Sequence, residues 1–316
     1  MNILFFVKTN QNLHNIKLLG GIEILNYNLY NFFKKKNLTI LTNKITNKIK
    51  DINWDVVISS NDATIFNYIK TKRKILWLHN KLQIEKSIRK KQFFSLIKHK
   101  IEAVFVSKYL DKNTSSIYNF TKRIVIPNFL PSEFKAIKIN NHIRKKNFIW
   151  SVQREKGIHD LLRVWINKIH ISYPEAKLHI FGINNLKFNK LKNFNIYYHG
   201  HVPRRRLIKY YKESTAMICL GYDETFCLNA IEAMACGLPI ISFGKTALKE
   251  IIRNNQNGFI INSYNDLNKI VDKIINLNSL KRKKLIYQSK KFSEIYQMRN
   301  VIKHWNNLLF YQKKLM

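Results

Sequence analysis

The sequence predicts an α/β protein of two doubly wound domains, each a parallel sheet covered by helices on both faces. Three observations carry that expectation. Short β-branched and aromatic runs alternate with longer helical patterns along all 316 residues. The strand runs are almost continuously apolar, as parallel strands buried on both faces are. The alternation pauses once, at 131–146, where Pro131 opens a Lys/Asn-rich stretch with weak periodicity.

In the first half the spacing predicts strands at 2–7, 38–43, 54–60, 74–79, 103–107 and 123–127. Helical spacing falls at 21–34, where Ile22, Leu25, Leu29 and Phe32-Phe33 share a face, and at 62–70, 86–100 and 108–119. The second half repeats the scheme with strands near 147–152, 176–181, 195–199, 216–220, 238–243 and 258–261, then helices at 264–277, 279–292 and 296–313. The domains are therefore expected at 1–135 and 136–295, with a last helix over 296–316 packing back on the first. Ligands of such sheets bind beyond the carboxyl ends of the strands. The expected site is a cleft between the domains.

A hydrophobic content of 46% with 13% aromatics excludes a disordered chain. No apolar run approaches the length of a membrane span, and the opening Met1-Asn2-Ile3-Leu4 lacks the basic lead of a signal peptide. Cys219, Cys227 and Cys236 are an odd count without metal-ligand spacing, which suits buried thiols in a reducing, cytoplasmic setting. Lys+Arg exceeds Asp+Glu by 56 − 19 = 37. Two readings fit this surplus. One is attraction to a polyanion, either nucleic acid or an anionic membrane. The other is a residue bias that dresses every solvated face in lysine, since the basic residues are spread along the chain. No nucleic-acid recognition module accompanies them, so no specific nucleic-acid partner is expected.

The chemistry concentrates in Asp223-Glu224-Thr225-Phe226-Cys227-Leu228-Asn229-Ala230-Ile231-Glu232-Ala233-Met234-Ala235-Cys236-Gly237-Leu238-Pro239, which follows the apolar run 216–220. A helix is expected to begin near Phe226–Cys227 and end at Cys236, with Gly237 free to take the left-handed cap and Pro239 beyond it. Its amino terminus would present unpaired N–H groups and a partial positive charge, a ready seat for phosphate. A carboxylate inside the helix, Glu232, can accept from both hydroxyls of a ribose, and one in the loop, Glu224, can hold sugar hydroxyls. Each could equally be a solvated or capping acid.

Glu224 to Glu232, with Phe226, Glu232-Ala233-Met234-Ala235, Gly237 and Pro239, resembles the E-x7-E signature of glycosyltransferase family 4, retaining enzymes of GT-B fold. The order of other segments is similar too. Lys156-Gly157 before Leu161-Leu162, Gly200-His201-Val202-Pro203, Lys249-Glu250-Ile251-Ile252 and Asn257-Gly258-Phe259 fall where that family has matching elements. In the first half Gly20-Gly21, His79 and Pro127-Asn128 do the same. The resemblance implies two Rossmann-like domains facing across a deep cleft, and transfer of a hexose-type sugar from a UDP- or GDP-linked donor. The implied acceptor is a glycan or lipid-linked molecule of cell-envelope polysaccharide or lipopolysaccharide synthesis. It further implies that Glu232 binds the donor ribose and Glu224 the transferred sugar, with His79 at that sugar and Lys156 on the diphosphate. The amides of Phe226, Cys227 and Leu228 would meet sugar or phosphate, and Gly20 and Gly21 would let backbone approach the substrate. The family's diphosphate-binding Arg is absent from its usual place; Arg154 either serves from a shifted position or faces solvent. No Asp-x-Asp pair is present to hold a metal on the diphosphate, so neither metal nor cofactor is expected.

Segment 86–100 is basic and reads as one amphipathic helix, with Ile88, Phe93, Leu96 and Ile97 on one face. It suits either an anionic membrane surface or an ordinary domain helix with a lysine-rich outer face. Arg204-Arg205-Arg206 reads as a solvated basic run. Three rival functions remain: a polyanion- or nucleic-acid-binding protein, which leaves the two glutamates unexplained, a GT-B-like sugar-nucleotide epimerase, which would act on donor alone, and a catalytically silent relative serving as a binding subunit.

Overall fold

The computed structural model describes all residues except 14, 16–18, 36–37, 119, 140–145, 152–156, 183–190 and 311–316. The chain forms two compact units. The first takes in Met1–Pro131 with Val301–Met316, and the second Ser132–Asn300.

The first unit is built on β1 (Asn2–Val7), β2 (Leu38–Thr42), β3 (Trp54–Ser60), β4 (Thr71–Leu78), β5 (Ile101–Phe105) and β6 (Phe120–Val125). They pair in parallel in the order β2-β1-β3-β4-β5-β6. β1, β3 and β5 are mostly apolar, as parallel strands covered on both faces are, and Ile3, Leu4, Val57, Ile58, Ala103 and Val104 are wholly buried. The last helix, Met298–Phe310, packs on this sheet: Trp305 is fully buried with its ring edge-on to Trp77 at 4.9 Å. Arg73 on β4 grips Glu102 on β5 through two bonds of 2.7 and 2.9 Å. It also donates to the carbonyls of Leu308 and Leu309, which the end of the helix leaves without intrahelical partners.

The second unit repeats the plan with β7 (Asn147–Ser151), β8 (Lys177–Phe181), β9 (Ile196–Gly200), β10 (Ala216–Ile218), β11 (Ile240–Ser242) and β12 (Gly258–Ile260). The order is β12-β11-β10-β7-β8-β9, again all parallel. The chain runs from β7 outward to β9 and then crosses to β10 on the other side of β7. The switch point, where crevices open at the carboxyl ends of strands, lies between β7 and β10.

Three sequence expectations are corrected here. The stretch 86–100 is two short helices, Ile84–Arg89 and Phe93–Lys98, separated where Lys91 takes a φ of 56°. That left-handed residue ends the first helix and turns the chain before the second begins. The stretch 62–70 keeps only a 3-10 turn, Thr64–Asn67. Of 108–119 only Lys108–Lys112 is helical, capped by the Ser107 hydroxyl, which accepts from the Leu110 N–H at 3.0 Å.

Candidate active site

The glutamate signature lies at the switch point of the second unit. Strand β10 and the following Cys219 and Leu220 are fully buried, and the chain then turns through Gly221–Glu224 into the helix Leu228–Ala235. The helix starts at Leu228, one to two residues later than expected, because Cys227 adopts the left-handed conformation (φ 69°, ψ 74°) as its N-cap. A non-glycine residue held there stores strain of about 1–3 kcal/mol and is found where backbone is being aimed. At the other end Gly237 takes φ 72°, its N–H bonds Met234 O at 2.8 Å, and the Leu238 N–H bonds Ala233 O at 3.0 Å. This is the expected Schellman cap.

The amino terminus of this helix is fastened beside β7. Asn229 Nδ2 donates to the Ser151 carbonyl at 2.5 Å and to its hydroxyl at 3.1 Å, and Ser151 is the last residue of β7. The Ala247 N–H bonds the Glu224 carbonyl at 3.1 Å, tying the loop to the segment after β11. The amides of Phe226, Cys227 and Leu228 thus gather at the switch point. The Phe226 ring itself turns inward, 4% exposed and edge-on to Tyr296 at 5.6 Å, so any contact it offers a ligand is through the backbone. Asn229 and Ser151 carried no signal in the sequence, since their pairing depends on which strand lies beside which.

Glu232 sits one turn inside the helix and is 1% exposed. Its Oε1 accepts from Arg204 Nε at 3.3 Å, so Arg204 is not the solvated residue expected; Arg205 and Arg206 are exposed. Burial raises the Glu232 carboxyl from 4.5 to about 7, with Arg204 opposing the rise and the Glu133 carboxylate adding to it. Glu224 is half-buried, with Oε1 2.8 Å from where a side chain on Gly221 would begin. Cys219 and Cys227 place their sulfurs 3.5 Å apart. The bond between the two thiols and burial hold the Cys227 thiol well above its ordinary range, so it stays protonated and is no nucleophile.

Gly157 opens the helix Ile158–Val164 at φ 79°, and a Cβ there would meet the Tyr264 hydroxyl at 2.7 Å and the Leu220 carbonyl at 3.0 Å. Only glycine permits this approach of the first helix to the end of β10. Lys156 and Arg154, the expected diphosphate cations, lie outside the described residues.

In the first unit His79 follows β4 directly. Its N–H bonds Asn61 Oδ1 at 2.8 Å, and its ring lies 4.5 Å from that of Trp77. It is 6% exposed, and burial lowers it to about 3, so the imidazole is neutral at physiological pH. Gly20 and Gly21 are not in a free loop. Gly20 is the N-cap of the helix Gly21–Phe33, its N–H held by Gln11 Oε1 at 2.9 Å and its carbonyl accepting from Ile24 at 3.0 Å. Among the described residues no three His, Cys, Asp or Glu side chains converge as metal ligands. No described helix is long and apolar enough to cross a membrane.

Two six-stranded parallel sheets of this connectivity define the class: the fold is GT-B. The chain belongs to the glycosyl transferases group 1 family, which matches residues 132–292, half of the sequence. It is 30% identical over 218 residues to an uncharacterized glycosyltransferase of Haemophilus influenzae, covering 66% of this chain but 58% of that protein, less than two thirds of its length. Two solved structures share the fold across 98% of this chain and 99% of theirs. One, from Anabaena, holds UDP and glucose (TM-score 0.71, 11% identity). The other is WaaG, a glycosyltransferase involved in lipopolysaccharide biosynthesis (TM-score 0.70, 11% identity).

Proposed function

We propose that this protein is a retaining glycosyltransferase of family 4 type that needs no metal. It moves a hexose-type sugar from a UDP- or GDP-linked donor to a glycan or lipid-linked acceptor in cell-envelope polysaccharide or lipopolysaccharide synthesis. The observation that carries this reading is Glu232, a carboxylate 1% exposed, one turn behind a helix amino terminus that is lashed to the switch point. Its one bond to Arg204 leaves the carboxylate further acceptor capacity. A ribose supplies two hydroxyl donors to such a group.

In this reading the diphosphate lies at the amino end of Leu228–Ala235. As the bond from the sugar C1 to the diphosphate oxygen breaks, the amides of Phe226, Cys227 and Leu228 and the partial positive charge of the helix face the developing anion. Lys156 and Arg154 are the cations proposed to join them. Glu224 holds sugar hydroxyls, and neutral His79, on the first unit, is proposed to meet the sugar as a hydrogen-bonding group rather than as an acid. The acceptor oxygen bonds C1 on the face the phosphate leaves, and its proton passes to the departing phosphate oxygen. The Anabaena neighbour with UDP and glucose and the lipopolysaccharide neighbour support the donor and acceptor classes. The acceptor is proposed to lie at the cytoplasmic face of an anionic membrane.

The test is a melting titration with UDP, GDP and other nucleoside diphosphates in the presence of a chelator. A nucleotide at a hundredfold excess over its Kd stabilises by about 2.7 kcal/mol, a rise of roughly 5–10 °C for a unit of this size. Glu232→Ala is expected to keep the fold and lose that rise. An unshifted melt with every nucleoside diphosphate would sink the proposal, and product from nucleotide sugar alone, without acceptor, would replace it with the epimerase reading.

A further inference from the structure

The run Arg204-Arg205-Arg206 is used nowhere in the chemistry above, yet its members have different fates. Arg205 and Arg206 are exposed, while the Arg204 side chain is 18% exposed and Nε lies 3.3 Å from Glu232 Oε1. Among the described residues, the groups facing Glu232 come from three elements. The helix Arg204–Glu213 brings Arg204 and, two turns on, the fully buried Tyr211, whose phenol burial pushes up, with the Glu232 charge adding to the rise. The 3-10 turn Ser132–Phe134 brings Glu133, an acid that resists a second negative charge. Burial within Leu228–Ala235 resists it too. Among these, Arg204 alone favours the carboxylate. A protonated acid keeps one oxygen committed to its own proton and cannot accept from two ribose hydroxyls. An ionised one can, and charge-assisted bonds are about twice as strong as neutral ones.

We infer that Arg204 is a positioning residue of the donor site, which keeps Glu232 a carboxylate and fixes its orientation for the ribose of a nucleoside diphosphate. The inference rests on the proposed donor reading of Glu232. Arg204 sets the lowest pH at which the site accepts nucleotide, so the site binds weakly in acid and strongly above neutrality. The residue opens its helix, directly after Pro203. The start of that helix therefore acts as part of the nucleotide site through Glu232.

The experiment measures UDP and GDP affinity by calorimetry from pH 5.5 to 9 for the wild type, Arg204→Gln and Arg204→Lys. In parallel the Glu232 carboxyl is titrated in free protein by carbon NMR, its signal assigned by its loss in Glu232→Gln. The wild-type affinity is expected to rise through about pH 7 and level off. Arg204→Gln is expected to move both the affinity curve and the carboxyl titration up by at least one pH unit, a loss on the order of tenfold in affinity at pH 7 that recovers by pH 9. Arg204→Lys, which keeps the charge, is expected to restore most of both. An Arg204→Gln loss equal at every pH, or an unmoved Glu232 titration beside intact nucleotide binding, overturns the role of Arg204 alone. Absence of nucleotide binding by the wild type at any pH overturns the donor reading, whatever the carboxyl titration shows.

Discussion

A glutamate at 1% exposure with one long ion-pair bond is expensive for the fold, and the cost has a pH signature. Its carboxyl lies at about 7 in the folded protein against 4.5 for the free side chain, so the native state binds the extra proton between those values. Stability from this group is therefore present below about pH 4.5 and is lost as pH rises through 7. Glu232→Gln is expected to melt close to the wild type at pH 5 and above it at pH 8. The shift corresponds to about 3 kcal/mol, reduced because Arg204 then lacks its partner. Melting curves at the two pH values check this, and a gap that narrows with rising pH would contradict it. The same substitution is expected to abolish the nucleotide response. Both glutamates were visible in the sequence because their signal is local, nine residues with a capping glycine behind them. Asn229 and Ser151 were not, because their bond depends on β7 and β10 becoming neighbours, nor was the role of Arg204, which depends on how the helices before and after β10 pack; spacing along the chain carries neither.

At the level of elements, strands were read more faithfully than helices. A buried parallel strand announces itself by composition, whereas the limits of a helix depend on single residues. The Schellman cap at Gly237 was legible as Gly followed two residues later by Pro. Gly237→Ala is expected to cost about 1–2 kcal/mol, measurable as a lower urea midpoint for the second unit with an unchanged m-value. The left-handed Lys91 had no such marker, and a continuous amphipathic helix was expected where two short ones stand. The break matters for the surface. Leu96 is buried, whereas Phe94 is 80% exposed and Ile88 56%, among Lys86, Arg89, Lys90, Lys91 and Lys98. Exposed apolar side chains ringed by cations suit an anionic bilayer. The protein is expected to sediment with phosphatidylglycerol vesicles and not with phosphatidylcholine ones. The double variant Ile88→Asp, Phe94→Asp is expected to lose at least tenfold in that binding while its UDP response stays intact. Equal binding of the variant to the anionic vesicles would assign the attraction to bulk charge.

For the molecule as a whole, the net charge of +37 and the specific site make separable predictions. Retention on a polyanion such as heparin is expected to fall steeply with salt and to be unaffected by Glu232→Ala. Nucleotide binding is expected to show the opposite pattern. The first unit is not finished by its own stretch of sequence: Trp305, Leu308 and Leu309 are buried on its sheet, and Arg73 binds the carbonyls that end their helix. Arg73→Met is expected to leave the Glu102 carboxylate without its cation and to cost on the order of 2 kcal/mol. In calorimetry this should lower the transition of the first unit and not that of the second.

That returning helix also fixes an order of events during synthesis. The sheet of β1–β6 is complete once residue 125 has emerged, yet the tryptophan that seals it is 305. At roughly 5–20 residues per second, a ribosome takes on the order of ten seconds to cover the intervening chain. During that interval Trp77 and the neighbouring apolar face stand open to chaperones and to other nascent chains. The second unit, contiguous in sequence, can close before the older unit does.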